Sequence, residues 1–327
     1  MLIDGGTSAT FHPVLKKEIK QLEYIDLVVL THIDSDHIGG LIKYIKSANF
    51  DHEKVGQFWL NSKNLRFVGD GSDISYGQAK TLEELLIDHQ VPTEKIKTDI
   101  YVGCVPALPN GIEIELLSPT LEVLSKLEER WPELSDEYKD KLKTLQISGL
   151  KPSQIPRGDL LALASAEDTP QKTILGDIVN SSSIAFVLRS FDLKILFLAD
   201  SHPHQIMNEL DKTYSSTNRL AVDLVKVSHH GSKNNTMKCV LDVLDCDRYI
   251  ISTNGGSSDD THPDRETIAR IIHHPERARD EYKKERKIYL NYPLESIEGK
   301  AGKFIEAEDF KIGNWQLLEK TNIFEHE

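Results

Sequence analysis

His32, Asp34, Asp36 and His37 put four metal-ligand side chains within six residues, in the run Thr31-His32-Ile33-Asp34-Ser35-Asp36-His37-Ile38-Gly39-Gly40. Neutral imidazoles and carboxylates suit zinc, manganese or iron, with bonds of about 2.0–2.2 Å to zinc. His32 and Asp34, two residues apart, point to one side of an extended segment. Asp36 and His37 are placed to serve a second ion across the turn. Two ions about 3.5–4 Å apart activate water and polarise a scissile group, which is the chemistry of hydrolysis. The competing reading is a polar loop in which Asp34 or Ser35 caps the next helix. It leaves the density of ligand types unexplained.

The flanking elements suit such a site. Residues 25–30, Ile-Asp-Leu-Val-Val-Leu, form an apolar, β-branched run expected to be a buried strand. Two glycines and a helix-like segment, 41–46, follow the ligands. A strand that delivers ligands at its C-terminal end gives a rigid base to a loop that aims side chains. Asp200 stands at the end of another apolar run, Phe197-Leu198-Ala199, where a carboxylate can bridge two ions or cap the helix expected from 201 to 210.

The first run resembles the signature of the metallo-β-lactamase fold hydrolases. Asp34, where many members carry histidine, narrows the likeness to the competence DNA-uptake (ComEC-type) hydrolase-domain subgroup. The motif His229-His230-Gly231-Ser232 after Lys226-Val227-Ser228 resembles that subgroup's second hallmark. Ser252-Thr253-Asn254-Gly255-Gly256 through Thr261-His262-Pro263 resembles a third. The resemblance implies a four-layer αββα metallo-β-lactamase-type sandwich carrying two divalent ions, zinc or manganese, with magnesium as a further candidate. It implies metal ligation by His32, Asp34, Asp36, His37, Asp200 and His229, with Asp4, before Gly5-Gly6, supporting the ligand loop from behind. His230 is implied as an acid/base group near the leaving atom, although His229 and His230 can exchange these roles. His262 is implied as a phosphate contact or general acid, and Asp36 as part of the catalytic set. The histidine that most members carry between the first cluster and the bridging aspartate has no counterpart here. Asp177 or Asn180, in Asp-Ile-Val-Asn-Ser-Ser-Ser, is the substitute oxygen ligand, unless water fills that position. An oxygen-rich set shifts the preference toward manganese or magnesium.

The chain has 327 residues, enough for one large α/β domain or two ordinary ones, and a formal charge of −13. It reads as one metallo-hydrolase domain over 1–327, with a helical insertion at 118–172 rich in charge and proline. The acidic balance argues against a broad basic duplex footprint. No apolar run approaches the roughly 20 residues of a membrane helix. The N-terminal residues lack the basic region and cleavage site of a signal peptide. Cys104, Cys239 and Cys246 form no disulfide or zinc-finger spacing, which suits a reducing cytoplasm.

Strands are expected at 55–60, 111–117, 183–188, 193–198, 222–227, 248–253 and 287–291, with a β-like piece at 304–305. Helices are expected at 81–87, 121–130, 137–145 and 267–272. Strand and helix alternate as in a layered α/β fold, and the β-rich halves on either side of the insertion suit a two-sheet sandwich. His12, His273, His274 and His326 read as surface residues, and His202 and His204 as surface residues with lining of the cleft beside Asp200 as the alternative. Residues 283–287 read as a solvated charge run that is also the best short candidate for touching a phosphate backbone. The leading function is a two-metal phosphodiesterase or nuclease acting on DNA, with nucleic acid or a nucleotide as substrate and no membrane. The alternatives are a small-molecule hydrolase (nucleotide, lactam or ester) or a non-catalytic component that docks a protein through 118–172.

Overall fold

The computed structural model describes residues 1–61, 81–109, 111–144, 158–256, 261–274 and 284–324. Along the chain run β1 (Leu2–Ile3), α1 (Lys16–Ile19), β2 (Ile25–Leu30), α2 (Ser35–Ile45), β3 (Val55–Leu60), α3 (Leu82–Asp88), β4 (Ile96–Lys97), β5 (Ile112–Ser118), α4 (Leu121–Thr144), α5 (Leu160–Ser165), α6 (Ile178–Ser181), β6 (Ala185–Ser190) and β7 (Leu193–Phe197). They continue as α7 (Pro203–Leu210), β8 (Leu220–Ala221), β9 (Leu224–Lys226), α8 (Lys238–Asp242), β10 (Leu244–Asp245), β11 (Arg248–Ile251), α9 (Arg265–His273), β12 (Arg286–Leu290), α10 (Leu294–Ala301) and β13 (Trp315–Leu318). The fold is mixed α/β. Two compact units are present: Met1–Asn110 with Ser118–Leu142 and Asp177–Ile184, and Gly111–Leu117 with Lys143–Gly176 and Ala185–Glu327.

The first unit is built on a parallel sheet in the order β1-β2-β3-β4. Strand β2 is central and apolar on both faces, with Leu27, Val28, Val29 and Leu30 all buried, as a covered parallel strand requires. Its core continues through Phe58, Trp59, Leu41, Ile45 and Leu82. Helix α3 starts on a capping box. Thr81 Oγ1 accepts from the Glu84 amide at 3.0 Å, and the Glu84 carboxylate accepts from the Thr81 amide at 2.9 Å. Helix α4 runs unbroken through Pro132, where two helices were expected. Val123, Leu127 and Trp131 are buried at four-residue spacing and carry the packed stripe up to the proline. Residues 145–157 of the expected insertion, and His326, lie outside the described residues.

The second unit carries a sheet in the order β13-β12-β11-β9-β7-β6-β5, with a small parallel pair β10-β8 beside it. The pairs β7-β9, β9-β11, β11-β12 and β12-β13 are parallel, and β6-β7 is an antiparallel hairpin. Its core includes Leu196, Val225, Tyr249, Ile251, Ile268, Ile272, Ile288 and Leu290. The strand expected at 222–227 is present but shorter, as β9, and the two-residue β8 precedes it in the small sheet. Phe304 and Ile305 are buried but irregular, and β13 is a strand that the sequence reading missed.

Four surface expectations fail, and for His202 and Arg286 the reason is that backbone partners meet the buried polar groups. His202 is the N-cap of α7, its Nδ1 accepting from the His204 amide at 3.3 Å, while its Nε2 lies 3.0 Å from the Lys172 carbonyl. His273 and His274 are buried. Arg286 is buried as well, donating from Nη1 to the carbonyls of Ile271 (3.0 Å) and Ile272 (2.6 Å). Lys283 of that run lies outside the described residues.

Candidate metal centre

In the first unit the ligand loop leaves the C-terminal end of β2, and the neighbouring strand β1 brings Asp4 beside it. A tight backbone contact fixes this placement. The Gly5 amide donates to the His37 carbonyl and the Gly40 amide to the Gly6 carbonyl, each at 2.8 Å. A Cβ on Gly40 would lie 1.9 Å from the Gly5 carbonyl oxygen, so only glycine permits the approach. Asp4 takes a left-handed conformation (φ 57°) that turns its carboxylate toward α2.

That carboxylate organises both histidines. Oδ1 accepts from the Thr31 amide and Oδ2 from the Thr31 hydroxyl, each at 2.8 Å, and Oδ2 also accepts from His37 Nδ1 at 2.7 Å. The Thr31 hydroxyl, donating to Asp4, is left to accept from His32 Nδ1 at 3.2 Å. In its neutral form each ring therefore carries its lone pair on Nε2. His32 Nε2 lies 3.7 Å from Asp34 Oδ2, and His37 Nε2 lies 3.8 Å from Asp36 Oδ2. The rings are 4.1 Å apart. With bonds of about 2.0–2.2 Å, two ligands of one zinc ion lie at most about 4.4 Å apart, so both pairs fit a shared cation. Asp34 occupies the N-cap position of α2, yet its side chain makes no capping bond. Burial pushes the Asp4 carboxyl up, but His37 and the Thr31 amide outweigh it and hold the group below the usual carboxylate range.

Asp177 and Asn180 belong to the same unit. Asn180 Nδ2 donates to both Asp177 carboxylate oxygens at 3.2 Å. The Ile184 amide donates to the Thr31 carbonyl at 2.9 Å, which ties this segment to the end of β2.

In the second unit β7, β9 and β11 are adjacent and parallel, so their C-terminal ends reach one edge of the sheet. Asp200, the pair His229 and His230, and the segment leading to His262 follow those three ends. The His229 amide donates to the Ala199 carbonyl at 2.8 Å and the Asp264 amide to the Gly231 carbonyl at 3.0 Å, joining the loops. His229 Nε2 and His230 Nε2 each lie 3.7 Å from Asp200 Oδ2. The structure thus brings both histidines to the aspartate equally. His230 Nδ1 donates to the Ser252 carbonyl at 2.7 Å, which leaves the lone pair of the neutral ring on Nε2. Burial pushes the His229 imidazole down, and His262 and His230 add to this against Asp200 and Asn235, so the ring is neutral at neutral pH. Asp200 does not cap α7, since His202 holds that position. His262 stacks edge-on to His229 at 5.1 Å, with its Nδ1 3.4 Å from Asp264 Oδ2.

Asn235 is the residue that sequence reading missed. It is buried and lies 3.0 Å from His229 Nδ1. Its only signal in the chain was a place six residues after a ligand-type histidine.

No described helix is long and apolar enough to cross a membrane. Comparison with curated proteins finds no match. The family model of the metallo-beta-lactamase superfamily, whose members are mostly metal-dependent hydrolases binding divalent metals, typically zinc, matches residues 1–112, the stretch that carries Asp4, His32, Asp34, Asp36 and His37.

Proposed function

We propose that the protein is a two-metal phosphodiesterase, acting as a nuclease on DNA, of the competence DNA-uptake type. His32, Asp34, Asp36, His37, Asp200 and His229 would hold the ions, and Asp177 or Asn180 would add an oxygen ligand. The four-layer αββα arrangement over one domain and a cytoplasmic location belong to the same proposal. One observation carries it: four imidazole Nε2 atoms lie 3.7–3.8 Å from carboxylate oxygens while each ring's Nδ1 is already engaged. A bound pair of divalent cations supplies Lewis-acid activation of water and neutralises charge on the scissile phosphate.

The chain's own residues do the rest. Asp4 and Thr31 orient His32 and His37. The Asp36 carboxylate orients the attacking water. His230, held by the Ser252 carbonyl with its lone pair on Nε2, takes a proton there from the attacking water and passes it to the leaving oxygen. His262, with Asp264 behind it, contacts a phosphate oxygen or shares the acid role.

The test is a panel of single-stranded DNA, duplex DNA, RNA and a chromogenic phosphodiester, each with manganese or zinc. The pair of substitutions Asp36→Ala and His37→Ala should abolish DNA cleavage while the fold is retained. Cleavage that survives this pair, in folded protein, overturns the proposal. The net charge of −13 favours a second reading, a small-molecule substrate such as a nucleotide. Activity confined to the chromogenic diester would select it. Docking of a protein partner through residues 118–172 is proposed on exposed helix surface alone, for example Leu121 at the start of α4.

A further inference from the structure

Asn235 uses its whole amide. Nδ2 donates to the backbone carbonyls of Asp200 (3.2 Å) and Ser201 (3.1 Å), and Oδ1 faces His229 Nδ1 at 3.0 Å. Carbonyl oxygens only accept, so the NH2 end must face them. A flipped amide would set oxygen against two oxygens. The end facing His229 is therefore an acceptor, and the ring must donate from Nδ1. Two backbone carbonyls thus choose the tautomer of an imidazole they do not touch.

The loop around Asn235 is itself held from α9. Arg270 Nη1 donates to the carbonyls of Lys233 (2.6 Å) and Thr236 (2.9 Å), and Asp264 Oδ2 accepts from the Lys233 amide at 2.8 Å. The Asn235 amide closes the turn onto the Ser232 carbonyl at 3.2 Å.

We infer that Asn235 is a positioning residue that locks His229 in the Nδ1-protonated form and presents its Nε2, beside Asp200 Oδ2, to a divalent cation. This rests on the metal-dependent reading given above. The same side chain fastens the Asp200 backbone, so one residue sets the spacing of two ligands.

The experiment has two readouts. Long-range 15N NMR of metal-free protein near neutral pH reports the His229 tautomer, with His229→Gln assigning the signal. Chelator competition reports Zn2+ affinity. Wild type should show the Nδ1–H form alone. Asn235→Ala should mix the tautomers and weaken Zn2+ binding by about 10–100-fold, with its circular dichroism unchanged. Asn235→Asp, which keeps an acceptor facing His229 but sets its second oxygen against the Asp200 and Ser201 carbonyls, should keep the Nδ1–H form while lowering thermal stability. A wild-type Nε2–H tautomer, or Zn2+ affinity in Asn235→Ala within twofold of wild type, overturns this inference alone. Should Asn235→Ala fail to fold, the wild-type spectrum still decides. No Zn2+ or Mn2+ uptake by wild type overturns the metal reading itself.

Discussion

Asp4 Oδ2 and His37 Nδ1 are 2.7 Å apart, across 33 residues of chain. The contact joins the end of β1 to the first turn of α2, and through Thr31 it also reaches His32. One carboxylate thus sets the direction of two imidazole lone pairs. Replacing Asp4 with alanine should leave both rings free to choose either tautomer. Metal affinity should then fall by about 10–100-fold, as seen in chelator competition, with a smaller loss in thermal stability.

The Gly5–Gly40 approach predicts a sharp contrast between two glycines. Gly40→Ala forces a methyl to 1.9 Å from a backbone oxygen that cannot move without shifting β1. It should cost on the order of 3 kcal/mol or more in urea unfolding. Gly299→Ala, in α10 with nothing within 4 Å, should stabilise by about 0.5–1 kcal/mol.

Ala199 has φ 44°, a conformation that suits glycine, just before Asp200. Ala199→Gly relieves that strain at the cost of a freer unfolded chain and a lost methyl contact. A net gain of a few tenths to about 1 kcal/mol is expected, measured as a higher urea midpoint at unchanged slope.

Arg265 grips Asp309 through two contacts, Nη1 to Oδ2 at 2.7 Å and Nη2 to Oδ1 at 2.8 Å, with both side chains largely buried. Burial pushes the Asp309 carboxyl up, but the Arg265 hydrogen bonds and charge prevail and hold it below its ordinary 3.8. A depressed carboxylate contributes its full stability above the unfolded pKa. It loses that contribution as pH falls from 3.8 through the lowered folded value. Asp309→Asn should flatten this part of the acid-unfolding curve. It should also cost about 3 kcal/mol at neutral pH, because Arg265 is left without its counter-charge.

How much of this could be read from sequence depended on the range of the interaction. The ligand loop after β2 was legible because a strand, four ligand types and a helix lie in one continuous run. Asp200 and the His229–His230 pair were legible for the same reason, each standing at the end of an apolar strand. Asn235 was not, because two of its three partners are backbone carbonyls and leave no mark on residue type. His202, His273, His274 and Arg286 were misread because polar composition reports exposure only when no partner awaits inside. Helix α4 was cut short at Pro132 because a proline costs one backbone bond, while the stripe of Val123, Leu127 and Trp131 that packs the preceding turns is a property of the fold.

Among the described residues, eight that are not glycine take a positive φ, and four of them are Asp4, Ala199, His229 and His230. Half of this unfavourable backbone geometry therefore falls at or beside the candidate metal-binding residues, at about 1–3 kcal/mol per residue. Such segments are the first to relax as temperature rises. Metal-free protein should accordingly lose cation uptake several degrees before its sheets melt, and loading it before heating should bring the two temperatures together.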